Sequence, residues 1–87
     1  MSETVELKQG SQLRAGNVLI GAIRVGEPGG VPTVRLALRD ETTQVVDLQI
    51  GESAPLDGER SVTLVDVIRP DKLTGEGHGA AVLELDD

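Results

Sequence analysis

Thr33-Val34-Arg35-Leu36-Ala37-Leu38-Arg39 alternates without a break, with Val34, Leu36 and Leu38 on one side and Arg35, Ala37 and Arg39 on the other. A period of two sets one face of an extended strand on a core and the other in water. Five further stretches read as strands around it. Residues 3–9 put Val5 and Leu7 in phase, and residues 17–25 form a Val-Leu-Ile-rich segment. A tight turn at Asp40-Glu41-Thr42 leads to residues 43–50, which align Val46, Leu48 and Ile50. After a loop through Pro55 and Asp57-Gly58 come residues 61–69, then 80–85 with Ala81, Leu83 and Leu85 inward. The 11 glycines and 4 prolines cluster between these segments, and none keeps helical apolar spacing over three turns. The sequence predicts an all-β domain over residues 1–87, with about six short strands in a small barrel or a two-sheet sandwich.

The chain has 87 residues, enough for one small domain. Its apolar content of 38% is almost wholly aliphatic, with no Phe, Tyr, Trp or Cys. Without cysteine there are no disulfides, thiolate metal sites or cysteine nucleophiles. The longest apolar stretch, residues 18–23, is too short to cross a bilayer, and the opening Met-Ser-Glu-Thr-Val-Glu lacks a signal peptide's basic-then-apolar run. A whole protein in the cytoplasm, away from membranes, is the expectation. The formal net charge is −7, which repels phosphate backbones, and no aromatic ring is present to stack on bases. Nucleic acid is therefore not an expected partner. The charge is uneven, since residues 1–44 sum to zero and residues 45–87 carry all of it.

Three pieces of the first half return in order in the second. Val5-Glu6-Leu7-Lys8-Gln9-Gly10 matches Val46-Asp47-Leu48-Gln49-Ile50-Gly51, residues 18–24 align with 63–69, and residues 33–40 align with 80–87 through Leu-x-Leu-x-Asp. This suggests two pseudo-repeated three-stranded units, about 5–40 and 46–87, related by a pseudo-twofold. Gly10 and Gly51 would then sit at equivalent turns, and Arg24 and Arg69 at equivalent strand ends.

The middle segment of each unit is apolar on both sides. Val18, Ile20 and Ala22 oppose Leu19, Gly21, Ile23 and Val25, and Val65 and Val67 oppose Leu64 and Ile68. Either a bulge switches the facing, with Gly21 a natural site, or an apolar patch is left for a partner. The second possibility makes Ile20, Ala22, Val65 and Val67, with Arg24, Arg35, Arg39 and Arg69, the candidate binding residues.

Catalytic signals are thin. The single histidine, His78, lies in Gly75-Glu76-Gly77-His78-Gly79, and one His with one carboxylate is half a zinc site. A Ser-His-Asp arrangement would need Ser2, Ser11, Ser53 or Ser61 to reach it, and no nucleophile-elbow motif is visible. Asp86 and Asp87 could meet Asp40 and Glu41 if the third strands of the units were neighbours, but no loop of alternating acidic residues suits calcium. Gly26-x-x-Gly29-Gly30 lacks the Lys-Ser/Thr and helix of a phosphate loop. No catalytic residue, metal or cofactor is expected.

Val34-x-Leu36-x-Leu38, Val46-x-Leu48-x-Ile50-Gly51-Glu52 and Ser61-Val62-Thr63-Leu64-x-x-Val67, in that order, resemble a type of small uncharacterised β-protein seen in actinobacteria. The resemblance implies a β-domain and no known activity, and it carries no functional residue over. The expected function is a non-catalytic protein-binding module that uses a sheet edge or an exposed apolar strand face. The alternatives are a self-assembling structural subunit, in which neutral and acidic halves of successive copies meet, and a small hydrolase-type enzyme using His78.

Overall fold

A computed structural model describes residues 2–56, 60–68 and 79–86. These form eight strands: β1 (Ser2–Lys8), β2 (Gln12–Ala15), β3 (Val18–Gly26), β4 (Thr33–Arg39), β5 (Thr43–Gln49), β6 (Ser53–Pro55), β7 (Ser61–Ile68) and β8 (Ala80–Asp86). They build two antiparallel sheets with strand orders β1-β8-β7-β6 and β2-β3-β4-β5. The sheets are not closed into a barrel, which removes that alternative; they share one core, an arrangement compatible with a sandwich. Two strands exceed the expected six because β2 and β6 are only four and three residues long. So short a run carries too little alternation to stand out from a turn.

Each short strand follows a glycine corner at which the chain leaves one sheet for the other. At the first corner, Gly10 donates its N–H to Ala22 O at 2.8 Å, and Ala22 N–H donates back to Ser11 O at 3.1 Å. At the second, Gly51 N–H donates to Leu64 O at 2.8 Å, and Leu64 N–H to Glu52 O at 3.0 Å. The backbone thus stays paired through both crossings, as a partly enclosed corner requires. Gly10 and Gly51 have φ of +87° and +91°, values that residues with a Cβ rarely adopt. As a consequence the sheets exchange first strands: β1 pairs with β8 and β5 with β4.

The gripped residues Ala22 and Leu64 stand immediately before β-bulges, which leave Ile23 and Val65 as the extra residues. The bulge in β3 therefore lies at Ile23, not at Gly21. It turns Val25 inward after Val18, Ile20 and Ala22, and leaves Ile23 48% exposed. The hydrogen bonds give Ala22 and Leu64 like roles, a spacing that differs from the alignment of 18–24 with 63–69. Arg24 and Asp66 are the residues that follow the two bulges, and Arg69 lies outside the described residues.

The core is aliphatic throughout. Ile20, Val34 and Leu36 from one sheet meet Val62, Leu64, Ala81 and Leu83 from the other, all fully enclosed. Among the described residues no polar or charged side chain is buried.

The corners yield a specific stability pattern. An added Cβ at Gly10 or Gly51 meets nothing within 4 Å, so the cost of Gly10→Ala or Gly51→Ala is backbone strain, about 1 kcal/mol each. Gly26→Ala, equally open and without a positive φ, should be neutral or slightly stabilising. Urea unfolding followed by far-UV circular dichroism measures all three, and equal effects at the three positions would contradict the corner argument.

Candidate functional site

The register of the β2-β3-β4-β5 sheet sets its outward residues in rows. Arg14, Leu19, Arg39 and Thr43 form one; Gln12, Gly21, Ala37 and Val45 the next; Arg24, Arg35 and Asp47 a third. Strand positions on this face thus supply four arginines against one carboxylate. All four arginines are exposed, and Val45, 58% exposed, and Ile23 add apolar surface beside them.

Of these four, Arg35 has an ion pair: its Nε donates to Asp47 Oδ1 at 2.8 Å and its Nη2 to Oδ2 at 3.3 Å. The hydrogen bond from Arg35 holds the Asp47 carboxyl below its ordinary pKa, and the same bond raises that of the guanidinium. Arg14, Arg24 and Arg39 have no ion-pair partner among the described residues. Arg24 lies directly across β3–β4 from Arg35, and like charges in that position repel. The two arginines, with Gly26, Glu27, Thr33 and Asp47, line an open depression of about 390 Å³.

The outer face of the other sheet has the opposite sign. Glu6, Asp66, Glu84 and Asp86 point outward there, against Lys8. Asp66 accepts the N–H of Val67 at 2.8 Å, and Val65 and Ile68 are each 43% exposed.

Of the eight candidate binding residues, the seven that are described do not come together. Ile20 and Ala22 are 0% and 2% exposed, so they belong to the core and offer no patch, because the bulge after Ala22 keeps both inward. Val65 is exposed and Val67 packs against the core, both in the opposite sheet. Arg24, Arg35 and Arg39 do share one face, and Arg69 lies outside the described residues. Arg14 joins that face unforeseen, because it lies between the strands expected at 3–9 and 17–25; its signal was the alternation of Gln12 and Arg14 with Leu13 and Ala15. His78 also lies outside the described residues. Asp86 does not meet Asp40 and Glu41, since β8 and β4 stand in different sheets. Among the described residues no group of three or more His, Cys, Asp or Glu could hold a metal ion, and no helix is long and apolar enough to cross a membrane.

Comparison with protein-family models, with curated proteins and with solved structures found no match to this chain.

The Arg35–Asp47 pair gives the site a measurable acid response. A carboxyl whose folded-state pKa is depressed stabilises the fold above its unfolded value and loses that contribution as pH falls through the folded one. Carbon-detected titration should place the Asp47 midpoint below the ordinary aspartate value in the native chain and higher in Arg35→Gln. Asp47→Asn should flatten the loss of stability below about pH 4. Identical midpoints in the native chain and Arg35→Gln would show that the pair does not form in solution.

Proposed function

We propose that the chain is a non-catalytic interaction module, built from two copies of a four-strand unit, whose outer β2-β3-β4-β5 face binds an acidic protein surface. The observation that carries this is the gathering of Arg14, Arg24, Arg35 and Arg39 on one face, with one of the four ion-paired. Guanidinium groups stay charged at any physiological pH and donate no proton to a reaction, so they suit recognition rather than acid–base chemistry. Their fork geometry matches carboxylates two bonds at a time, as Arg35 does with Asp47. Exposed Val45 and Ile23 and half-buried Leu19 and Ala37 supply the apolar contact that a charged surface alone lacks. Protein is favoured over nucleic acid because the whole chain carries −7 and has no aromatic side chain. The sheet edge β5 borders the same face, so an extended segment could pair there while its acidic side chains reach the arginines.

Titration of the isotope-labelled protein with a glutamate-rich peptide tests the proposal. Amides of Arg14, Arg24, Ala37 and Arg39 should shift together, and Arg24→Glu with Arg39→Glu should weaken binding roughly tenfold or more, a loss of about 1.4 kcal/mol or above. A single-stranded oligonucleotide that binds this face more tightly than the peptide, or peptide shifts confined to other surfaces, would overturn it.

A further inference from the structure

We propose that the acidic surface bound by the arginine face is the outer β1-β8-β7-β6 face of a second copy of this chain, so that copies stack face to back. The inference rests on the interaction-module function above and names its partner. It stands on three observations.

Opposite signs meet in matching numbers. At strand positions one outer face carries four arginines against Asp47, and the other carries Glu6, Asp66, Glu84 and Asp86 against Lys8. Apart from the Arg35–Asp47 pair, none of these charged side chains has an ion-pair partner among the described residues. Complementary faces of this kind set register and suppress wrong partners.

The signs also reverse at matching positions. Arg24 and Asp66 each follow a bulge, and Arg39 and Asp86 each close the strand paired to an exchanged first strand. Both faces therefore present charge on the same strand lattice, with opposite polarity at these two places.

Each face further exposes the extra residue of its bulge, Ile23 at 48% and Val65 at 43%, beside those charges. An apolar contact ringed by complementary charge is the usual anatomy of a protein interface.

The net charge of −7 opposes stacking at long range. At physiological salt, with a screening length of about 8 Å, that repulsion is damped while charges in contact still attract. The contact is heterologous, because each copy uses its arginine face on one neighbour and its acidic face on the next. Such a contact leaves both ends open unless a ring closes. The product is a concentration-dependent stack rather than a closed dimer.

Sedimentation with interference detection tests this, since the chain has no aromatic absorbance. The native protein at physiological salt should show a weight-average mass that rises with concentration past that of a dimer. Arg24→Glu with Arg39→Glu makes both faces acidic, and Asp66→Lys with Glu84→Lys makes both basic. Each variant alone should lose self-association by roughly 100-fold, the effect of like charges brought face to face. An equimolar mixture of the two should assemble again, because acidic faces then alternate with basic ones. All four positions are on outer faces, and retained strand dichroism checks folding; Arg24→Gln with Arg39→Gln, a milder change, should reduce assembly in part. A native protein that stays monomeric yet binds the glutamate-rich peptide would overturn the second copy as partner and leave the interaction module standing. Loss of both would remove both. Variants that assemble like the native chain, or a mixture that stays monomeric, would overturn the face-to-back contact.

Discussion

Everything in this fold depends on the chain changing sheets at Gly10 and Gly51 without releasing its hydrogen bonds. A backbone that turns from one layer to another must keep its N–H and C=O groups satisfied, and an ordinary residue at φ near +90° would be strained. Glycine removes the strain, and the gripped residues, Ala22 and Leu64, satisfy the backbone. Because each gripped residue is followed by a bulge, the same points that steer the chain also decide which side chains of β3 and β7 face the core.

Much of this was legible in the sequence. The alternation in residues 33–39 locates β4 and its two faces, and the aliphatic phases of 3–9, 43–50 and 80–85 locate β1, β5 and β8. Gly10 and Gly51 stand at the ends of the clearest repeated segment, Val-x-Leu-x-x-Gly. Illegible were β2 and β6, too short for a periodic signal, and the exchange of β1 and β5, since strand pairing over long separations leaves no local trace. The bulges were half legible: two-sided apolarity left either a bulge or an exposed patch, and the position of the bulge follows from the corner hydrogen bonds. Gly21, the conformationally permissive choice, is an ordinary outward position packed near Gln12 and Ala37.

The site shows the same division. Arg35 and Arg39 could be placed together because they share a phase with Ala37 in one clean strand. Arg24 needed the bulge to turn it outward beside Arg35, and Arg14 needed a strand that the sequence did not reveal. The apolar patch centred on Ile20 and Ala22 failed for the reason Arg24 succeeded, because a bulge one residue beyond Ala22 sends the earlier side chains in and the later one out.

Strand exchange also decides which carboxylate faces the arginines. If each half of the chain kept its own first strand, Glu6 and Lys8, which cancel, would be the outward charges beside Arg14, Arg24, Arg35 and Arg39. Exchange carries β1 to the acidic sheet and leaves Asp47, on β5, as the single outward strand carboxylate among the arginines. That carboxylate pairs with Arg35, which lies opposite Arg24, and so offsets part of the repulsion between the two guanidinium groups. The separation of sign between the two outer faces comes from the strands that are not exchanged, since Arg14, Arg24, Arg35 and Arg39 lie on β2, β3 and β4, and Asp66, Glu84 and Asp86 on β7 and β8. A corner that solves a backbone problem thus also supplies the counter-ion of Arg35, because the strand it moves carries Asp47 outward and Leu48 into the core.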